Sequence, residues 1–169
     1  MNIKKLVINS LLLAIGAILS QITPPLVLGM KPDFSLALLF IIILLNNDYK
    51  TCICTGIVAG LLAALTTTFP GGQLPNIIDK IITTNVMFLF LMPIRNVLNN
   101  QTKILIVTAV GTIVSGTVFL TSAFFIVGLP ASFRILFLSI VIPACVINTV
   151  VGSVLFNAIN VALKRKAKI

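Results

Sequence analysis

Long apolar runs follow one another from Lys5 to Leu163 with only short polar interruptions, and this constrains the fold more than any single motif. Hydrophobic residues make up 59% of the chain and charged residues 9%, too little polar surface for a soluble domain of 169 residues. Within lipid every backbone amide and carbonyl needs an internal partner, so the expectation is an all-α integral membrane protein. At roughly 20 residues per span, residues 1–169 predict a single six-transmembrane-helix bundle. Its helices fall near 5–28, 33–46, 51–69, 75–95, 103–127 and 132–163.

Helix breakers punctuate these runs. Pro24-Pro25 breaks or kinks the end of the first helix, Asp33 is placed to cap the second, and Asn46-Asn47-Asp48 stops it. Pro70-Gly71-Gly72 ends the third, Pro75 suits the first turn of the fourth, Gly128-Leu129-Pro130 ends the fifth, and the sixth is long enough to start at the interface or be kinked at Pro143. The apolar run Phe34 to Leu45 is short for a span; the helix therefore either extends into its polar flanks or is tilted and shielded by neighbours. Met1 to Lys5 followed by an apolar run has the order of a signal peptide. The run continues to Leu28 without a small-residue cleavage site, and so it reads as a first spanning helix.

Lysines and arginines orient the bundle. With alternating spans, Lys4, Lys5, Lys50, Arg95, Lys103, Lys164, Arg165, Lys166 and Lys168 share one side, and only Lys31, Lys80 and Arg134 lie on the other. Positive charge stays inside, so both termini are expected in the cytoplasm. The net charge of +9 is then accounted for by cytoplasmic anchors beside membrane lipid, and no nucleic-acid partner is called for.

Polar groups inside the apolar sequence are concentrated in two knots that open on the outer side. One is Gly29-Met30-Lys31-Pro32-Asp33; the other runs from Thr66 to Lys80 as TTTFPGGQLPNIIDK. Ionisable groups at membrane depth mark binding sites unless they serve only to close loops. Asn76, Asp79, Lys80 and Thr83 recur at helical spacing and project from one face of the fourth helix. Gly71 and Gly72 offer backbone amides beside that helix's N-terminus, a place suited to a carboxylate. Gln73 and Asn76 add donors and acceptors, Thr67 a hydroxyl, and Phe69 an aromatic wall. A ligand zwitterionic at one end and flat and apolar at the other matches this set. Its ammonium would meet Asp79 or Asp33, its carboxylate a lysine or the glycine amides. The alternative is that Asp79, Lys80, Lys31 and Asp33 pair among themselves to hold the loops shut. Asn148, in the middle of the sixth helix, joins the candidates either as an interhelical hydrogen-bonding group or as a ligand contact.

Small residues form stripes that let helices approach. They are Ser10, Ala14, Ala17 and Gln21 on the first helix, Gly56 to Gly60 as a GxxxG on the third, and Thr108, Gly111, Ser115 and Ser122 on the fifth. Most should serve the bundle itself; the first-helix stripe is placed to dock a separate membrane subunit. Cys52, Cys54 and Cys145 have no histidine to join them, and Cys-x-Cys on a helix turns its thiols apart, so they read as packing residues with no metal site. There is no phosphate-binding Walker loop, no histidine and no glutamate. The chain is therefore not expected to be an enzyme, and no cofactor is called for. If it drives transport, the energy comes from an ion gradient or another polypeptide.

Gly29-Met30-Lys31-Pro32-Asp33, Ala64 to Gln73 (ALTTTFPGGQ) and Pro75-Asn76-Ile77-Ile78-Asp79-Lys80 resemble the bacterial tryptophan transporter family, closely over the first 95 or so residues and in length and hydropathy beyond. That family is similar to the substrate-binding S components of energy-coupling factor importers. The resemblance implies a six-helix bundle that captures L-tryptophan near the outer face, with a shared transmembrane coupling subunit and two cytoplasmic ATPases as partners. An S component for another aromatic or vitamin-like molecule, and a non-transport bundle, are the alternatives. In S components small residues on the first helix pack on the shared subunit; here Ser10, Ala14 and Ala17 occupy such a face, without the strict Ala-x-x-x-Ala form. The chain contains no tryptophan, an economy suited to a protein needed when tryptophan is scarce.

Overall fold

A computed structural model describes residues 3–24, 31 and 33–166, with side chains to Ala162. Six helices account for it. They are α1 (Ile3–Ile22), α2 (Phe34–Leu45), α3 (Tyr49–Thr66), α4 (Gln73–Ile94), α5 (Asn100–Ile126) and a composite α6, in which α-helical Phe133–Leu136 passes through a π-helical turn, Phe137–Val141, into α-helical Ile142–Lys166. All but α2 are long and apolar enough to cross a membrane.

The helix ends follow from local chemistry. Asp33 caps α2, its carboxylate accepting the amides of Ser35 and Leu36. Asp48 caps α3 through the amide and hydroxyl of Thr51, which hold its carboxyl below the usual carboxylate range. Asp48 thus starts a helix as well as belonging to the stop before it, and α3 begins two residues earlier than expected. Asn99 caps α5 in the same way. The first helix ends at Ile22, short of the expected 28, where Thr23 turns its hydroxyl back onto the Leu19 carbonyl and Pro24 follows; residues 25–28 lie outside the described residues. The third helix ends at Thr66 rather than 69, because Thr67 to Gly72 form a turn in which Gly71 takes φ +70°.

The short helix α2 is the centre of the bundle. Leu36 to Ile43 are essentially inaccessible, enclosed by α1, α3, α4, α5 and α6. A helix apolar all round is stable only when surrounded, and of the two outcomes open to the run Phe34 to Leu45, shielding is the one realised. Its 12 residues span about 18 Å, against roughly 30 Å of hydrocarbon. Its N-terminal cap is therefore set well below the ends of longer neighbours, which leaves space above it.

Small residues set the closest contacts. Gly56 and Gly60 of α3 face Thr84, Ile77 and Lys80 of α4; a Cβ at Gly60 would lie 3.1 Å from the Ile77 backbone and 3.4 Å from Lys80 Cβ. The GxxxG thus belongs to the internal α3–α4 seam and brings Lys80 inward. The outer surface is apolar, with Val7, Leu11, Leu65, Leu89, Phe125, Val146 and Val154 among its exposed side chains.

Candidate functional site

Above the cap of α2 lies a cavity of about 120 Å³, room for roughly ten water-sized spheres at ~10–15 Å³ each. It separates the main core around α2 from a smaller apolar cluster containing Phe69, Leu120 and Val141. Its wall runs from the α3–α4 turn, at Thr67 and Phe69, down to Thr112 and Asn148 in the middle of α5 and α6. The space therefore reaches deeper than a rim at the helix ends.

Charge is organised around Lys80. Its ammonium sits 2.7 Å from Asp33 Oδ2 and 2.6 Å from Asp79 Oδ2, joining the start of α2 to α4. Asp79 also accepts from Thr83 Oγ1 and, across to α5, from Ser115 Oγ, both at 2.8 Å. Asp33 Oδ1 accepts from the hydroxyls of Ser35 and Ser20 and from its capping amides. Lys80 and Asp79 are buried at 2% and 1% side-chain exposure, whereas Asp33 keeps 26%. Buried charges survive only when paired and hydrogen-bonded, and here four helices supply the partners. Lys31 does not pair with Asp33; its ammonium donates to the Ser20 carbonyl near the end of α1.

Of the residues singled out from sequence, Lys31, Asp33, Thr67, Phe69, Asn76, Asp79, Lys80 and Asn148 all line the cavity. Gly71, Gly72 and Gln73 do not. The Gly72 amide is spent on the Phe69 carbonyl at 3.0 Å, and a side chain there would strike Thr67 and Phe69. Gly71 serves the left-handed turn and packs on Val127, and Gln73 is exposed in the first turn of α4. The Gly72 amide expected to meet a carboxylate is thus already used within the turn. Asn76 donates to the Gly72 carbonyl at 2.8 Å and lines the cavity at the helix start. On α1, Ser10 and Ala14 are exposed and Ala17 half-buried, outside the cavity. Cys52 is buried and Cys54 exposed, turned apart as the spacing requires.

A family model described as "Tryptophan transporter TrpP" matches residues 2–164. The chain belongs to this tryptophan transporter family. Relatives each named "probable tryptophan transport protein" cover nearly its whole length. The Clostridium acetobutylicum protein is 62% identical over 97% of this chain and 96% of its own, and that of Clostridium perfringens 50% identical over 97% and 95%. The Bacillus subtilis protein is 44% identical over 99% and 96%. No solved structure matches. Membership of a transport family, together with five long apolar helices, makes this a multi-pass membrane protein.

Several cavity residues of this tryptophan transporter family member went unmarked in the sequence. Thr112, Ser115, Gly116 and Phe119 lie on one face of α5 at spacings of three, four and seven, a periodic signal of which only Ser115 stands out in the sequence, as part of a small-residue stripe. Ile140, Val141 and Ala144 come from and follow the π turn. That turn stands just before Pro143, where a kink is one of the two outcomes expected. Proline has no amide to offer the Ser139 carbonyl, and the helix widens before it, Ile142 donating to Phe137. Gly116 admits the bulge, since a Cβ there would fall 2.5 Å from Val141 Cγ1.

Proposed function

We propose that this chain is the L-tryptophan-capturing subunit of an energy-coupling factor importer, and that the cavity beside Asp33, Lys80 and Asp79 is its substrate site. The observation that carries the reading is the pairing, in one cavity, of a polar end made of two carboxylates and two ammonium groups with apolar walls. Asp33 is the partner for the substrate ammonium, because a quarter of its side chain remains open while Asp79 is fully engaged. Lys31, with one N–H on the Ser20 carbonyl, has donors left for the substrate carboxylate. Phe69, Phe119, Leu120, Ile140, Val141 and Ala144 surround the indole. Thr67 and Asn76 stand at the entrance, and Asp79 and Lys80 hold the polar end in place rather than contacting substrate first.

In this reading six spans place both termini in the cytoplasm and the cavity toward the outside, supported by the nine-to-three division of basic residues. The exposed α1 face carrying Ser10, Ala14 and Ala17 docks the shared transmembrane subunit, and two cytoplasmic ATPases supply the energy. The family assignment and the transport names of the relatives support tryptophan as the substrate. Isothermal titration of the purified chain with tryptophan, indole-3-propionate and tryptamine tests the site. Tryptophan should bind far more tightly than either compound lacking one charge. Equal affinity for all three would refute a zwitterion site. Co-purification tests the importer: a coupling subunit and an ATPase pair should be recovered with the chain, and recovery of the chain alone from cells expressing all of them would refute it.

A further inference from the structure

One buried polar atom on the cavity wall has no partner. Asn148 is 1% exposed, and its Oδ1 accepts no hydrogen bond. Its amide orientation is set by its neighbours. The Thr112 hydroxyl gives its proton to the Thr108 carbonyl at 2.7 Å, so towards Asn148 its oxygen is only an acceptor. Asn148 therefore turns Nδ2 to Thr112, at 3.4 Å, and the carbonyl oxygen is left over. Such an acceptor is costly to bury unsatisfied. It stands seven residues beyond Val141 on α6, about 10 Å further along the helix, and its partner Thr112 lies one helical turn deeper on α5 than Ser115, which bonds Asp79.

We infer that Asn148 Oδ1 accepts the ring N–H of the substrate and is the residue that selects an indole over other aromatic rings. The inference rests on the substrate reading above and adds to it which ring atom is recognised. A substrate entering with its zwitterion at Asp33 and Lys31 brings its ring among Phe119, Val141 and Ala144, and its single ring donor is what the orphan oxygen requires. Phenylalanine and tyrosine offer no donor of that kind on a fused ring. A site built to hydrogen-bond a substrate N–H rejects the analogue that lacks it more strongly than an apolar wall rejects a change in size.

The test compares tryptophan with 3-benzothienylalanine, in which sulfur replaces the ring N–H at nearly the same shape, by calorimetric titration of the purified full-length protein. The wild type should bind tryptophan at least about tenfold more tightly than the sulfur analogue. In Asn148→Ala that preference should collapse to within about threefold, through loss of tryptophan affinity with the analogue little changed. Equal wild-type affinities, or a preference retained in Asn148→Ala, would overturn the assignment while leaving the tryptophan site standing. Failure of the wild type to bind tryptophan at all would overturn the substrate reading and this inference with it. The wild-type comparison needs no variant and decides the matter even if Asn148→Ala does not fold.

Discussion

Replacing Lys80 with methionine removes the one cation between two carboxylates while preserving most of the side-chain volume. In the intact protein Lys80 lies within 2.7 Å of both Asp33 and Asp79 and is 2% exposed. Without it, the start of α2 and the first turns of α4 present two negative groups to each other in a buried place. Removing one partner of a buried ion pair costs about 3–5 kcal/mol, equivalent to a factor of more than about a hundred in an equilibrium constant. Asp79→Asn should be much milder, because it leaves the Asp33–Lys80 pair neutral and keeps an oxygen for Thr83 or Ser115. Thermal unfolding in a fixed detergent, followed by tryptophan binding to whatever remains folded, reads both effects. Lys80→Met should melt well below Asp79→Asn, and Lys80→Met/Asp79→Asn should recover part of the loss. A Lys80→Met protein that melts and binds like wild type would refute the idea that this ammonium holds the polar end of the cavity together.

Gly60→Leu should lower the melting temperature and weaken binding together, by overpacking the seam against Ile77 and Lys80 at about 1–3 kcal/mol; Gly60→Ala should do less of both. Lys31→Met should cost tryptophan at least about tenfold in affinity, the loss of one charge-assisted hydrogen bond. Tryptamine, which has no carboxylate, should bind the Lys31 variant and the wild type alike in the same calorimetric titration. Leucine at Ser10, Ala14 and Ala17 together should abolish pull-down of the coupling subunit and leave tryptophan binding by the isolated chain unchanged, because these side chains lie on the outward side of α1, away from the cavity.

Residue chemistry made much of this architecture legible. The capping of α2 by Asp33 follows from one acidic residue before an apolar run, and the shared face of Asp79, Lys80 and Thr83 follows from helical periodicity. Gly56 and Gly60 announced a close seam without saying which helix would fill it. What stayed hidden depends on distance between segments or on departures from regular helix. Pairing among the four charged groups is one of two readings the sequence leaves open, but nothing local reveals that Lys80, on α4, is the one that bridges to Asp33 while Lys31, two residues from Asp33, turns to the Ser20 carbonyl instead. The glycines at 71 and 72 carry the same signature whether their amides face a ligand or close a turn, and for Gly72 the deciding fact is the Phe69 carbonyl lying in reach. The π turn is harder still: Pro143 marks strain in the helix, but whether it bends or widens depends on the room that Gly116 leaves beside Val141.

The chain's lack of tryptophan makes a direct measurement of its central property possible, because any indole emission from a titrated sample belongs to the ligand. Tryptophan added to the purified protein should show a saturable blue shift corresponding to one ligand per chain, as the ring leaves water for the walls formed by Phe119, Leu120 and Val141. Emission that stays at the position of free tryptophan at every protein concentration would contradict the account.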